Sequence, residues 1–147
     1  MKAIMATLIA ALVVFGFAET ATADEIVEKT SAEHLGEILK AEGHSYTVDS
    51  DGDLVWELNG VTTLIMITRD KQSITFSVGF QSDTANLKKV NEWNRTKRFS
   101  RSFIDDDGDP VLQLDLDFAG GVTRTRIVDF LQTCRQSLAT WAAEVVQ

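Results

Sequence analysis

The residues best equipped for chemistry lie in a single stretch, RTKRFSRSFIDDDGDP, which runs from Arg95 to Pro110. Four cations are followed by four carboxylates, so the stretch could hold a metal ion, catalyse acid–base chemistry or bind a partner. An EF-hand loop needs oxygen ligands at its first and last ligand positions around a central glycine. When Gly108 is that glycine, the two positions fall on Phe103 and Leu114, which cannot ligate. The stretch therefore predicts a charged hairpin turn.

A second acidic run, DSDGD at residues 49–53, fails the same test, because Thr47 and Leu58 would be the first and last ligands. We expect calcium affinity to be weak at most, since the ligand spacing offers no preformed cage. A loosely bound cation at the later run remains an alternative, with four candidate ligands: Asp105, Asp106, Asp107 and Asp109.

Strand pairing across the acidic turn predicts a polar site. A tight turn at Asp107-Gly108 would pair Arg98 with Asp117 on the solvated face of the hairpin. The same register would put Arg101 on the apolar face, opposite Leu114. An arginine there must reach solvent, form an ion pair or line a site. The candidate polar site comprises four charged residues: Arg98, Arg101, Asp115 and Asp117.

No catalytic constellation is present in the sequence. The two histidines, His34 and His44, lie on or beside one predicted helix, and no nucleophile elbow, Walker loop or zinc-binding His-Glu-x-x-His pair occurs. A Gly-Gly-Val-Thr segment before the last helix could hold an anion, but a tight turn explains its glycines as well. The sequence therefore predicts a non-enzymatic protein without cofactors.

The single cysteine, Cys134, cannot form a disulfide within the chain. It falls in the middle of an apolar stripe on the last predicted helix, where apolar residues recur at steps of three and four. This position favours a buried, unreactive side chain. The alternative is a reactive thiol or an intermolecular bridge.

The elements that position these residues follow from hydrophobic periodicity. Helices are predicted over residues 31–42, with a capping box at Thr30 and Glu33, and over 84–94 and 123–145. Strands are predicted over residues 46–48, 54–58, 61–68, 74–80, 98–104 and 111–118. The order α-β-β-β-β-α-β-β-α is rich in hairpins, so we expect an α+β fold with an antiparallel sheet of about five or six strands.

The Asn59-Gly60 pair predicts a two-residue hairpin loop, because both residues tolerate positive φ. This loop puts Val55 opposite Leu64, and strand alternation puts Met66 beside them on the face turned away from the helices. Val55, Leu64 and Met66 therefore form a candidate partner-binding patch. Coverage by a loop or a helix end is the alternative.

The N-terminus is separate from the predicted fold. Lys2 precedes an apolar run over residues 3–17 that is too short for a comfortable membrane span. Ala21-Thr22-Ala23 is typical of a signal-peptide cleavage site, so we expect a signal peptide at 1–23 and a single domain at 24–147. The protein would then be periplasmic or secreted. Retention of the segment as a membrane anchor is the alternative.

Charge limits the classes of partner. The 147 residues contain 14 Lys and Arg against 22 Asp and Glu, a net charge of −8. Such a protein repels phosphate backbones at long range, which disfavours nucleic acid. We expect a protein partner or self-association, including a homodimer, and no membrane association once the signal peptide is removed.

Three stretches in this order resemble the YbjN-like family of bacterial proteins, commonly described as sensory transduction regulators. They are WELNGVTTLIMI from Trp56, VNEWNRTKRFSR from Val90 and DGDPVLQLDLDFAGGVT from Asp107. The resemblance runs from about Ser31 to Val146. It implies a fold similar to type III secretion chaperones, often dimeric, and no established catalytic residues. The export signal departs from many relatives that look cytoplasmic.

Two hypotheses of function follow. The first is a non-enzymatic, exported interaction module, chaperone-like or sensory and regulatory, which acts through protein–protein contacts on its sheet. The second is a periplasmic small-ligand or cation binding protein that uses Arg101 and the acidic hairpin. A flat apolar patch on the sheet would favour the first hypothesis, and a concave pocket around Arg101 would favour the second.

Overall fold

The computed structural model describes residues 24–147. The predicted signal peptide and its cleavage site after Ala23 lie outside the described residues. The helices are α1 (Ala32–Ala41), α2 (Leu87–Thr96) and α3 (Arg124–Trp141), and a π-helical turn, Ala142–Val146, follows α3. The strands are β1 (Ile26–Val27), β2 (Tyr46–Val48), β3 (Leu54–Leu58), β4 (Val61–Ile67), β5 (Ser73–Gly79), β6 (Arg101–Ile104), β7 (Pro110–Asp117) and β8 (Val122–Thr123).

The main sheet has six antiparallel strands in the order β2-β3-β4-β5-β7-β6. The β3–β4 register is as predicted, with Val55 opposite Leu64, because Asn59 and Gly60 both take positive φ in the two-residue loop. In the β4–β5 pair, Ile67 opposes Ile74. The α+β class and antiparallel sheet predicted from the sequence are therefore confirmed.

One face of the sheet and the helices share a single core. Strand residues Trp56, Phe76 and Leu114 are all buried in it, together with Leu39 of α1 and Ile127 of α3. Each strand contributes alternate residues to this core, as the period of two requires. We call this side of the sheet the inner face and the opposite side the outer face.

Two details of the elements differ from the sequence prediction. Ser31, rather than Thr30, caps α1, because the Ser31 hydroxyl accepts the backbone N–H of His34 at 3.2 Å while Thr30 is buried. A short sheet of β1 and β8, absent from the prediction, joins Val27 to Val122 and ties the start of the domain to the start of α3. Two-residue strands are too short to produce a detectable alternation in sequence.

Residues 98–100 do not join β6, although the prediction began that strand at Arg98. Phe99 takes a left-handed φ of 66°, which breaks the extended conformation before Arg101.

Among residues 24–147, none of the helices combines the length and apolarity needed to span a bilayer.

Candidate interaction surfaces

The predicted apolar patch lies on the outer face. Val55 and Leu64 are cross-strand partners, and Met66 lies two residues further along β4. All three side chains are partly buried, and none belongs to the core or packs against it. Val55, Leu64 and Met66 form a continuous aliphatic strip that we call the outer-face patch.

Polar residues extend the outer face beyond the patch. Leu64 is followed across the sheet by Ser77 and then by Gln113, whose amide Nε2 donates to Ser77 Oγ at 3.2 Å. Thr75 donates to the Asp115 carboxylate at 2.6 Å. The outer face thus has an aliphatic half on β3 and β4 and a hydrogen-bonded polar half on β5 and β7.

The strand pairing on which the predicted polar site depends is not observed, because the β6–β7 register in the structure differs from the predicted one by one residue. Phe103 opposes Val111 rather than Leu112, and Arg101 opposes Gln113 rather than Leu114. A one-residue slip moves every side chain of a strand to the other face. Arg101 therefore lies exposed on the outer face, where its guanidinium donates to Gln113 Oε1 at 2.6 Å.

Asp115 and Asp117 lie on the outer face of β7, the same face as Arg101, whereas Arg98 does not. Arg98 lies outside the strands, in a hollow bordered by α3, and does not oppose Asp117. Asp115 accepts the hydroxyl of Thr75, and Asp117 Oδ1 accepts the backbone N–H of Ala119 at 2.8 Å. Each aspartate is thus engaged locally, and the four residues do not converge on a common ligand.

The acidic turn is a five-residue loop organised by one carboxylate. Asp105 Oδ1 accepts the backbone N–H groups of Asp107 and Asp109 at 3.0 and 2.8 Å. The loop at residues 49–53 repeats this arrangement, since Asp49 Oδ1 accepts from Asp51 and Asp53 at 2.9 and 3.0 Å. An Asx turn of this kind uses the aspartate to shape the backbone. Both acidic runs are therefore built as hairpin turns.

Cation binding at the acidic turn stays a prediction of weak affinity. Asp107 and Asp109 line an open hollow of about 560 Å³ together with Ser82 and Asp83. Within residues 24–147, no group of three or more His, Cys, Asp or Glu side chains is arranged to hold a metal ion.

Cys134 is buried, as predicted from its position on the apolar stripe of α3. Burial raises the pKa of its thiol well above the usual range, because the apolar surroundings disfavour the thiolate. A thiolate is the reactive form, so the side chain is held in its inert state. This environment leaves no access for an intermolecular disulfide in the folded chain.

The N-terminus of α3 is already occupied by an internal anion. The carboxylate of Asp24 accepts the backbone N–H of Thr125 at 3.2 Å. The hydrogen bond from Thr125 holds the pKa of the Asp24 carboxyl below its usual value. The Gly-Gly-Val-Thr segment therefore serves as the turn into α3, and the chain itself supplies the acid at the helix start.

A groove of about 520 Å³ separates the β3–β4 turn from α3. Its apolar wall includes Leu58, Val61 and Phe80, and the exposed Arg135 is its cation. The residues that α3 contributes to the other wall are spaced as one helix face: Gln132, Arg135, Gln136 and Ala139. That spacing was visible in the sequence, but the position of α3 beside the β3–β4 turn, which forms the opposite wall, was not. This groove, rather than Arg101, has the concave shape expected of a ligand site.

Comparison with known proteins places the fold. Residues 31–146 match the YbjN family, described as putative bacterial sensory transduction regulator. No curated protein matches the chain significantly. The crystal structure of YbjN from E. coli, called a putative transcription regulator, is similar with a TM-score of 0.66 at 20% identity. That similarity covers 79% of this chain and 90% of the E. coli protein.

Two proteins solved as complexes have a similar fold. The ExsC–ExsE complex is similar with a TM-score of 0.60 at 14% identity, over 78% of this chain and 92% of that one. The Yersinia pestis type III secretion chaperone SycH, solved with a fragment of YscM2, is similar with a TM-score of 0.56 at 13% identity. This similarity covers 76% of this chain and 98% of the chaperone. The secretion-chaperone-like fold expected from the resemblance is thereby confirmed.

Proposed function

Because the chain belongs to the YbjN family, we propose that it is a non-enzymatic, exported interaction module that binds a protein partner through the outer face of its sheet. The observation that carries this proposal is the outer-face patch. Val55, Leu64 and Met66 are adjacent aliphatic side chains that do not take part in the core. Apolar side chains grouped in this way are typical of a protein contact surface.

Two further points support an interaction role. The similar structures include two that were solved as complexes with another protein, ExsC with ExsE and SycH with YscM2. The described residues also offer no histidine pair or thiolate for chemistry, since Cys134 is buried. A chaperone-like or regulatory module needs a surface and no reactive group.

The outer-face patch is tested by Leu64→Glu. We expect this variant to self-associate less and to bind a protein partner less tightly, because a charge on the patch must be desolvated in any contact. The free energy of unfolding should change by less than about 1 kcal/mol, since Leu64 is not in the core. Light scattering and urea unfolding measure the two quantities.

The matched control is Val48→Glu, which introduces the same charge at an aliphatic strand residue that is 49% exposed and belongs to neither proposed surface. Val48 lies on the edge strand β2 and is outside the core, so this variant should stay folded. The proposal is contradicted if Leu64→Glu unfolds the protein, which would make Leu64 part of a second core layer. It is also contradicted if the two variants weaken association equally.

Export is the second part of the proposal. It is supported by the apolar run over residues 3–17 and by the Ala21-Thr22-Ala23 sequence. Intact-mass analysis of protein recovered from the cell envelope should give a chain that begins at Asp24. Recovery of the chain with Met1 still attached would contradict cleavage and favour a retained anchor.

A second candidate function is the binding of a small amphipathic anion in the groove beside α3. The single favouring observation is the pairing of an apolar wall, Leu58 and Phe80, with the cation Arg135. Such a ligand would lay its apolar part on the wall and its carboxylate on Arg135. This candidate replaces the one built on Arg101 and the acidic hairpin.

A further inference from the structure

Charge is strongly segregated along this chain. Residues 84–104 contain six cations, Lys88, Lys89, Arg95, Lys97, Arg98 and Arg101, and a single carboxylate, Glu92. The segment has a net charge of +5 in a sequence of net charge −8, which leaves −13 for all other residues. Five of the cations lie on α2 or within two residues of its C-terminal end, whereas Arg101 lies on the outer face in β6.

Internal ion pairs neutralise only part of this charge. Arg95 pairs with Glu92, and Lys97 pairs with Glu144 at 2.6 Å. The other four cations form no ion pair within 4 Å among residues 24–147. Lys88 and Arg98 are exposed at opposite ends of α2. A positive surface therefore remains available on an otherwise acidic molecule.

The two most exposed large apolar side chains of the described residues lie at the start of α2 and just beyond its end. Leu87 is 74% exposed and Phe99 is 78% exposed. Leu87 directly precedes Lys88 and Lys89, and Phe99 directly follows Lys97 and Arg98. Each apolar side chain thus has cations as its neighbours in sequence. Protein contacts commonly combine an apolar anchor with a nearby charge in this way.

Phe99 is held in this position against its own backbone preference. Its φ of 66° lies in the left-handed region, which a bulky residue rarely adopts. The ring is exposed, so burial of its apolar surface does not compensate for the backbone strain. Such strain indicates a role other than stabilising the fold. This observation is independent of the charge pattern and concerns the same surface.

We propose that α2 and its flanks bind an acidic segment of another protein, with bulky apolar side chains of that segment packing beside Leu87 and Phe99. Lys88 and Arg98 are its charge contacts. This surface and its partner class go beyond the outer-face proposal and do not depend on it, because α2 packs on the inner side of the sheet and shares no residue with the outer-face patch.

The shape of the surface favours a polypeptide over a flat anionic membrane. Grooves flank α2: Leu87 and Val90 line one of about 550 Å³, and Trp93 lines another of about 440 Å³ with Lys89. Side chains of a peptide can enter such grooves, whereas a bilayer surface cannot. A symmetric contact between two copies would set two positively charged surfaces against each other, which like-charge repulsion opposes.

The test measures binding of a fluorescein-labelled peptide of four Glu-Glu-Leu-Asp-Phe repeats to the purified chain by fluorescence anisotropy. We expect binding that weakens as NaCl rises from about 0.01 to about 0.15 M, where the Debye length falls from about 30 to about 8 Å. A peptide with lysine in place of each acid should not bind. Lys88→Glu with Arg98→Glu should lower the affinity about tenfold or more.

The matched control is Arg69→Glu with Lys71→Glu, which makes the same charge change at two exposed residues between β4 and β5. This control and Leu64→Glu should keep the affinity for the acidic peptide, whereas Phe99→Ser should lower it. A failure of the outer-face proposal would appear only in the light scattering of Leu64→Glu, so the two proposals are tested separately.

Three outcomes would overturn the inference. The first is an equal affinity of the acidic peptide for the Lys88→Glu, Arg98→Glu double variant and for the Arg69→Glu, Lys71→Glu control. Another is binding of phosphatidylglycerol vesicles or a DNA duplex with this dependence on Lys88 and Arg98, without binding of the peptide. The last is concentration-dependent self-association that needs Lys88 and Arg98 while the peptide does not bind, which would make a second copy the partner.

Discussion

Replacing Trp141 with alanine is expected to lower the free energy of unfolding by about 3–5 kcal/mol, the range for removing a large aromatic side chain from a packed core. Trp141 is fully buried at the end of α3, and its ring packs on Phe80 with centroids 5.8 Å apart. A small domain has only about 5–15 kcal/mol in total, so a large part of its stability would be lost.

The indole also joins several elements through one hydroxyl group. Trp141 Nε1 donates to Ser102 Oγ at 2.9 Å, and Ser102 Oγ donates to the carbonyl of Val111 at 2.9 Å. Asn94 of α2 bonds the backbone of Ser102 on both its N–H and C=O groups. Trp141→Phe, which keeps most of the packing, should therefore still cost about 1–3 kcal/mol through the lost hydrogen bond.

Trp56→Phe is the matched control. Trp56 is equally buried, but its Nε1 has no hydrogen-bond partner among the described residues. Phenylalanine removes that unsatisfied donor, so its cost should be smaller than that of Trp141→Phe. Urea unfolding followed by far-UV circular dichroism measures all three variants. Equal losses at the two positions would show that the bond to Ser102 contributes nothing measurable.

Gly36→Ala is expected to destabilise the protein by about 1–3 kcal/mol, although it lies inside α1. Alanine in place of glycine in a helix normally stabilises it by about 0.5–1 kcal/mol. Here the ring of Tyr46 from β2 packs directly on the glycine, and a methyl group would overlap its terminal atoms. Tyr46 must therefore move away, with loss of its contact with α1.

A double-mutant cycle isolates this effect. In a Tyr46→Ala background the obstructing ring is gone, so Gly36→Ala should become neutral or stabilising, with its sign reversed. Thermal or urea unfolding of the four proteins measures the coupling between the two positions. If Gly36→Ala stabilises the chain with Tyr46 in place, the ring is not tightly packed on α1 and the prediction is wrong.

Turn chemistry explains both the success and the failure of register prediction. Asn59 and Gly60 can form a two-residue loop whatever lies beyond them, and the β3–β4 register followed correctly. The Asp107-Gly108 pair predicts a similar two-residue loop, whereas the structure has a five-residue turn organised by Asp105 Oδ1. Residues 49–53 have the same acidic spacing and the same turn, so comparing the two runs would have corrected the register.

The sequence by itself determined the local features of this protein. The Asn59-Gly60 loop and the apolar stripe that buries Cys134 depend on residues a few positions apart, so local patterns in the sequence predict them. The outer-face patch also followed, because one hairpin loop and strand alternation were enough to put Val55 beside Leu64.

Only the tertiary structure decided the features that join distant parts of the chain. β7 pairs with β5 as well as with β6, and the β5–β7 pairing joins residues about 40 positions apart, such as Thr75 and Asp115. The groove at Arg135 needs α3 to lie beside the β3–β4 turn, and the surface at α2 needs Leu87 and Phe99 to stay unburied. Long-range packing selects among the arrangements that local preferences permit, so no local pattern carries this information.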